Sequence, residues 1–224
     1  MGDVDLVIFD CDGVLIDSEL ISARMLIATL KDFGVRVDMA YVARHFLGRS
    51  YPTVLQQIRT EFDVVLPPDF EDEYRERLLA AFERDLRVMP GICDVLDRLA
   101  VRACVATSSS PKRVARSLEL VGLLDRFGAH VFTASEVAHG KPAPDLFLHA
   151  AARMGAAPGR CLVIEDSLNG IRAAQAAGMQ VWWFTGGSHI AAAGGNGPAA
   201  SLAGFSFADL GEFFKHAPAL GKPG

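Results

Sequence analysis

Short apolar runs, rich in valine, isoleucine and aromatic residues, recur along the 224-residue chain, and they limit its fold more than any other feature. Most are followed by a turn and then by residues with helical spacing. Continuous apolar strands that alternate with helices are typical of a parallel sheet buried on both faces. The sequence therefore predicts an α/β fold with strands at 6–10, 103–108, 130–134, 161–166 and 181–185, and a shorter one near 205–207.

Residues 18–87 interrupt this alternation because they contain helical stretches but no clear strand pattern. We predict that they form an all-helical cap inserted into a core of residues 1–17 and 88–224. Asp17 and Ser18 would be hinge or helix-cap residues in the entering linker. An insertion after the first strand is well placed to act as a lid over the carboxyl edge of the sheet.

Composition and charge exclude several classes of protein. Half of the residues are apolar, the formal net charge is -5, and no basic run would follow a nucleic-acid backbone or an anionic membrane. Four cysteines lack CxxC spacing and lie in or beside apolar runs, which is typical of buried thiols in a reducing compartment. The acidic start MGDVD and the lack of a long apolar run lead us to expect a cytoplasmic protein.

Polar side chains that could take part in catalysis lie where the predicted strands end. In an open parallel sheet, ligands bind beyond the carboxyl ends of the strands, so these residues are expected to converge. They are Asp10 and Asp12 after the first strand, Thr107 and Ser108 at the end of the second, Glu165 and Asp166 at the end of the fourth, and Lys141 in the loop HGKPAPD.

This set of residues suits phosphoryl transfer. Crowded carboxylates either raise one another's pKa values or share a cation, and oxygen ligands favour a hard ion such as Mg²⁺. A lysine and a hydroxyl beside such an ion can neutralise the charge on phosphoryl oxygens. An aspartate can be the nucleophile while a second carboxylate moves the proton, and Gly13 would allow the turn that brings Asp10 and Asp12 to one site.

Four segments in order, DCDGVLIDS from Asp10, ATSSS around Thr107, GKPAPDLF around Lys141 and VIEDSLNGI around Glu165, resemble the motifs of the haloacid dehalogenase superfamily. The resemblance is strongest to its sugar-phosphate phosphatases and β-phosphoglucomutases. It covers nearly the whole chain and implies a Rossmann-like core with a helical cap.

The resemblance also implies a role for each matching residue. Asp10 would be the nucleophile and a Mg²⁺ ligand, and Asp12 the general acid and base whose backbone carbonyl also binds Mg²⁺. Thr107 would hydrogen-bond the phosphoryl group, with Ser108 beside it as a substrate-binding residue. The remaining implied positions are Lys141, which would neutralise charge, Asp166 as a direct metal ligand, Glu165 as a direct or water-mediated one, and Asn169 as a further contributor.

Two other activities do not fit the residues. Dehalogenases of this superfamily lack the second aspartate and need no magnesium, whereas this chain has Asp12 and a complete acidic fourth motif. A receiver domain also combines aspartates, a hydroxyl and a lysine, but it is about half as long and has no helical insertion after the first strand. A degenerate binding module is disfavoured because no catalytic position has been lost.

Phosphatase and phosphomutase share these core residues and differ in the cap. The β-phosphoglucomutases carry a histidine shortly after the first motif, where this chain has Ser22. They also carry a cap segment resembling LKGVSRE, and an alignment on Gly48 places Tyr51 at its arginine position, with Arg49 nearby. These departures favour a phosphatase, with a β-phosphoglucomutase-like mutase as the alternative.

The cap is expected to select the substrate. Arg49 and Tyr51, together with Arg44, could reach a hydroxyl, carboxylate or second phosphate when the lid closes. The predicted partner is thus a small phosphorylated metabolite, such as a sugar, polyol or sugar-acid phosphate. Because a cap that covers its own site needs no partner chain, we expect a monomer.

Overall fold

Six parallel strands form one sheet in a computed structural model that describes residues 3–46, 51–192 and 202–223. The predicted α/β fold is confirmed, and each observed strand end lies within one residue of the predicted one. The strands are β1 (Leu6–Phe9), β2 (Arg102–Thr107), β3 (Val131–Thr133), β4 (Cys161–Glu165), β5 (Gln180–Phe184) and β6 (Ser206–Phe207).

The strand order is β3-β2-β1-β4-β5-β6, with β1 at the centre. From β1 the chain first builds outward through β2 and β3, and then crosses to the other side of β1 to add β4, β5 and β6. Phe9, the last residue of β1, is in register with Val105 of β2 and Ile164 of β4. The order therefore reverses beside β1, which is where α/β sheets bind their ligands.

Helices cover both faces of the sheet. Alternate β1 residues point to opposite faces, so Val7 and Phe9 lie in one buried apolar cluster and Leu6 and Ile8 in the other. The core helices are α5 (Ile92–Arg98), α6 (Pro111–Leu120), α7 (Leu124–Phe127), α8 (Asp145–Arg153), α9 (Leu168–Ala176), α10 (Ser188–Ala192) and α11 (Phe213–His216).

The described residues of the predicted cap form four helices joined by short loops, and no strand. They form α1 (Glu19–Asp32), α2 (Met39–His45), α3 (Tyr51–Phe62) and α4 (Phe70–Asp85), and their apolar faces join the core cluster that contains Phe9. The two connections to the core run side by side, because Ile16 bridges Val88 and the amide of Asp17 donates to the carbonyl of Arg87 at 3.0 Å. The domain boundaries themselves stay a prediction.

Contacts between α4 and α6 hold the cap against the core. Arg116 of α6 pairs with Glu83 of α4 at 2.7 Å, and the guanidinium of Arg113 lies 5.5 Å from the ring centre of Phe82. The cap therefore rests on the carboxyl side of the sheet in this conformation.

Two further findings concern the compositional predictions. Cys11, Cys104 and Cys161 are buried as expected, but Cys93, on α5, is exposed. Within the described ranges, no helix combines the length and the apolar character needed to cross a bilayer.

Candidate active site

Lys141 lies at the centre of the candidate site, between two carboxylates. Its Nζ donates to Asp10 Oδ1 at 2.6 Å, to Glu165 Oε1 at 2.8 Å and to the carbonyl of Ala106 at 3.0 Å. These partners come from the ends of β1, β4 and β2, and the Lys141 side chain is only 3% exposed. Burial alone would lower the pKa of Lys141, but the two carboxylates raise it above its ordinary value, so the amine stays charged.

Three buried carboxylates form the acidic cluster. Oxygen atoms of Asp10, Glu165 and Asp166 all lie within 4.8 Å of one another. Burial, together with the neighbouring carboxylates, raises the pKa of Asp10 well above its ordinary value despite the opposing effect of Lys141. A cluster with this excess of buried oxygen ligands fits a hard divalent cation, which would relieve the repulsion among them.

Asp166 is held at its backbone and at its side chain. The Nε1 of Trp183 donates to the Asp166 carbonyl at 2.9 Å, and Nε2 of His189 lies 3.0 Å from its Oδ2. Burial raises the pKa of Asp166 to about 6, although His189 opposes this shift. Burial lowers the pKa of His189, but its bond to Asp166 outweighs this effect and raises the value to about 9.

Asp12 receives hydrogen bonds from three directions. Its Oδ1 accepts from Ser18 Oγ at 2.5 Å and from Arg113 at 2.8 Å, and its Oδ2 accepts from Ser109 Oγ at 2.6 Å. Burial raises the pKa of Asp12, but Arg113 and the two hydroxyls together bring it below its ordinary value. Asp12 is therefore held ionised in the absence of substrate.

The turn after β1 allows the two aspartates to occupy one site. Gly13 has φ of +80°, a conformation that other residues avoid, and its amide donates to the carbonyl of Ile16 at 2.8 Å. A Cβ atom at Gly13 would stand 1.9 Å from Asp166 Oδ2, so a side chain there would also displace that carboxylate. Glycine is thus required at this position of the DCDG segment for two reasons: the backbone has a positive φ, and a side chain would clash with Asp166.

The β2 motif places hydroxyls beside the aspartates. Thr107 is buried, and its Oγ1 accepts the amide of Ser109 at 3.1 Å. Ser108 is partly buried, while its neighbour Ser109 makes the contact with Asp12. Asn169 is partly buried on the first turn of α9.

Ser18 and Asp17, predicted as hinge or helix-cap residues, both make contacts that the sequence did not indicate. Ser18 occupies the N-cap position of α1, but its hydroxyl binds Asp12 rather than capping the helix. Asp17 Oδ1 accepts from Ser188 Oγ at 2.7 Å, which ties the entering linker to α10. The linker is therefore anchored on the catalytic side of the core.

Of the cap residues predicted to bind substrate, the structure describes only the side chain of Tyr51. Arg49 and the side chain of Arg44 lie outside the described part of the chain. Tyr51 stacks on Tyr74 with ring centres 5.0 Å apart, and the hydroxyl of Tyr74 lies 3.5 Å from the carbonyl of Ser22. Because Arg113 also donates to Ser22 Oγ at 3.1 Å, a series of contacts joins Tyr51 to Asp12 through the cap.

Sequence reasoning missed Arg113 and His189. Arg113 looks like one more cation on an amphipathic helix, since its partner Asp12 is 101 residues away in the chain. His189 lies in a glycine-rich segment that predicts a loop, so only the order of β4 and β5 in the sheet brings it to Asp166. Neither residue has a local signal in the sequence.

Comparisons with known proteins agree with this geometry. The family profile of haloacid dehalogenase-like hydrolases matches residues 4–178. A 6-phosphogluconate phosphatase of Escherichia coli (strain K12) is 28% identical over 190 residues, which cover 84% of this chain and 86% of that protein. A probable pseudouridine-5'-phosphatase of Drosophila melanogaster is 36% identical over 188 residues, with 78% of each chain covered.

A solved structure is similar over the full length. It is a haloacid dehalogenase family hydrolase from Deinococcus radiodurans R1 with bound phosphate and sodium, 33% identical, with a TM-score of 0.77 and 100% of both chains covered. The resemblance of the four motifs is thus confirmed by the profile, the relatives and the fold. The chain belongs to the haloacid dehalogenase-like hydrolases.

Proposed function

We propose that this hydrolase is a Mg²⁺-dependent phosphatase that acts on a small phosphorylated metabolite through an aspartyl-phosphate intermediate on Asp10. Its general class, a phosphoric monoester hydrolase, follows from the family and from the phosphatase names of its relatives. We likewise propose the intermediate, the identity of the ion and the residue roles, together with a cytoplasmic location and a monomeric state.

One observation carries the proposal: two buried aspartates two residues apart have opposite environments. Asp10 lies in the acidic cluster against Lys141, whereas Asp12 is surrounded by the donors Ser18, Ser109 and Arg113. Asp10, in the acidic cluster beside the Lys141 amine, is in place to bind both phosphorus and a metal ion, whereas Asp12 lies outside that cluster and is available for proton transfer.

In the first step, a carboxylate oxygen of Asp10 forms a bond to phosphorus while the bond from phosphorus to the ester oxygen breaks. Asp12 gives its proton to that leaving oxygen. It is ionised without substrate, and it takes up this proton because the arriving phosphate adds negative charge beside it. Lys141 and Thr107 stabilise the phosphoryl oxygens by charge and by hydrogen bonding.

In the second step, Asp12 removes a proton from water, the water oxygen bonds to phosphorus, and the bond to Asp10 breaks to release inorganic phosphate. Mg²⁺ would be held by Asp10, Glu165 and Asp166 with the backbone carbonyl of Asp12, and when bound it supplies positive charge against the phosphoryl oxygens. The covering cap excludes bulk water from the reacting group.

The substrate class is argued from the cap junction. Arg113 reaches from the core to Ser22 of the cap and also contacts Asp12, the residue proposed to protonate the leaving group. Its guanidinium, with Tyr51 and the predicted Arg49, suits a leaving group rich in hydroxyls or carrying a second anion. Sugar, polyol and sugar-acid phosphates meet this description.

The test is a substrate screen. Purified protein with Mg²⁺ is incubated with a panel of sugar, polyol, sugar-acid and nucleoside phosphates, and released inorganic phosphate is measured. We expect release from at least one member, and 6-phosphogluconate and pseudouridine 5'-phosphate belong on the panel because of the relatives' names. No release from any member would count against the proposal.

The same screen addresses the mutase alternative. With β-glucose 1-phosphate, the formation of glucose 6-phosphate is measured alongside phosphate release. Isomer formation without phosphate release would replace the phosphatase by a mutase. We expect phosphate release to dominate because the chain has Ser22 where the mutases carry a histidine.

Removal of divalent ions should abolish the phosphatase activity. Without an ion, the repulsion among Asp10, Glu165 and Asp166 is opposed chiefly by Lys141, and the phosphoryl oxygens lose most of their neutralising charge. We expect EDTA to abolish phosphate release and excess Mg²⁺ to restore it. Full turnover in chelator, with the ion content checked by elemental analysis, would exclude the metal assignment.

A further inference from the structure

The segment Gly187-Ser188-His189 follows β5 and leads into α10, which begins at Ser188. β5 lies next to β4 in the sheet, with Trp183 in register with Glu165, so the segment after β5 arrives directly beside Asp166. His189 is 7% exposed, and none of the roles proposed above uses it. A buried polar ring at a sheet's ligand-binding edge needs a physical explanation.

The bond between His189 and Asp166 has a defined direction. Nε2 of His189 stands 3.0 Å from Oδ2 of Asp166, and an ionised carboxylate can only accept a hydrogen bond. Nε2 therefore carries the proton and donates it, whichever charge state the ring has. The bond occupies one oxygen of Asp166 and leaves Oδ1 for another partner.

The ring is positioned by packing on two glycines. Its Nδ1 is buried and has no hydrogen-bond partner within the described ranges, so no second bond orients it. A Cβ at Gly13 would lie 2.9 Å from Cε1 of His189, and one at Gly187 would lie 2.7 Å from the same atom. Both glycines leave the space that the ring fills.

We infer that His189 is a positioning residue for the metal site: its Nε2 holds the Asp166 carboxylate in the orientation that binds the divalent ion. This inference rests on the proposed function. A free aspartate side chain would rotate away from Asp10 and Glu165, whose negative charges repel it when no ion is present. Hydrogen bonds from outer groups are known to orient metal ligands and raise ion affinity in this way.

The same segment connects the metal site to the cap. Ser188, beside His189, donates from Oγ to Asp17 at 2.7 Å in the linker that enters the cap. Ser188 and His189 are thus two neighbouring contacts with different targets, one on the linker and one on a metal ligand. This pair supplies a matched control, since each bond can be removed without removing the other.

The experiment measures ion affinity rather than turnover. Metal-free protein is titrated with Mn²⁺, which shares the oxygen-ligand preference of Mg²⁺, and free Mn²⁺ is followed by electron paramagnetic resonance. Mg²⁺ is then added as a competitor. We expect His189→Leu, which keeps an apolar volume but no donor, to raise the Mn²⁺ dissociation constant roughly 10- to 100-fold.

Two further variants separate the hydrogen bond from the fold. His189→Gln retains a side-chain N–H and should bind Mn²⁺ with affinity close to that of the parent. Ser188→Ala removes the Oγ bond to Asp17 on the same segment, keeps the 3.3 Å bond from its backbone amide, and should leave the affinity unchanged. Urea unfolding of each metal-free variant shows whether it is folded. If His189→Leu fails to fold, His189→Phe, which keeps a ring but no donor, takes its place and should show the same weakening.

Parent affinity in His189→Leu would overturn the inference. Equal weakening in His189→Gln would do the same, since the loss would then follow the ring shape and not the donor, and so would equal weakening in Ser188→Ala. A parent protein that binds no ion would refute both this inference and the metal assignment. A parent that binds the ion but hydrolyses nothing would refute only the phosphatase, and the variant affinities would still decide the role of His189.

Discussion

Asp10→Asn is expected to abolish phosphate release while the protein stays folded. The amide has nearly the same shape as the carboxylate but cannot attack phosphorus. We expect turnover to fall by roughly four to six orders of magnitude, as when a catalytic nucleophile is removed. The measurement is phosphate release with the best substrate from the screen, together with the mass of acid-quenched protein, which should show no phosphoryl adduct.

Stability should not fall in this variant. Burial raises the pKa of Asp10, which means that the folded state binds the proton more tightly than the unfolded chain. Ionised Asp10 therefore works against folding above its unfolded pKa, and this cost grows as pH rises through that range. A neutral amide removes the cost, while Lys141 keeps its bond to Glu165. The urea midpoint near neutral pH should equal or exceed that of the parent.

A surface substitution of the same type provides the control. Asp94 is exposed and pairs with Arg98 on α5, so Asp94→Asn makes the same chemical change far from the site. It should leave turnover and phosphorylated-protein mass as in the parent. Near-normal turnover in Asp10→Asn would refute Asp10 as the nucleophile, and a phosphoryl adduct in that variant would place the intermediate on another residue.

The α/β fold could be predicted because each strand is short, buried on both faces and bounded by turn residues. Leu6, Val7, Ile8 and Phe9 are all fully buried, so the strand shows as a continuous apolar run rather than an alternating one. The strand order is not encoded locally. It depends on which edge of β1 each crossover reaches, and only this order brings β4 between β1 and β5.

The core of the site could also be predicted, because its residues lie at strand ends and carry functional types in a fixed order. Arg113 and His189 could not, because each is a single residue on a helix whose partner comes from a distant segment. The segment 187–198 reads as a flexible loop from its glycine content, yet Ser188–Ala192 is helical, and residues 193–198 lie outside the described part of the chain.

Lys141→Met should be as damaging to turnover as the loss of the nucleophile, and it should destabilise the metal-free protein as well. The amine is the cation shared by Asp10 and Glu165, and it is almost fully buried. Its removal leaves two buried carboxylates facing each other without a counter-charge. Breaking a buried ion pair from one side costs about 3–5 kcal/mol of unfolding free energy.

Turnover falls for two physical reasons. Without Lys141 the pKa of Asp10 rises further, because the amine is the main influence that lowers it, so a larger fraction of the nucleophile is protonated. The phosphoryl oxygens also lose a neighbouring positive charge. Phosphate release and urea unfolding, each with and without Mg²⁺, measure the two effects. Saturating Mg²⁺ should recover part of the stability, because it binds only the folded protein, but not the turnover.

A double variant separates the charge effect from a packing effect. In Asp10→Asn/Lys141→Met the carboxylate that faced Glu165 across the amine is neutral, so the double variant should lose about 1–3 kcal/mol less unfolding free energy than the sum of the two single-variant changes. Lys215→Met, which breaks only an exposed pair with Glu212, should change stability by less than about 0.5 kcal/mol. Additive changes in the double variant would mean that Lys141 stabilises the site through packing of its aliphatic chain and not through its charge on Asp10.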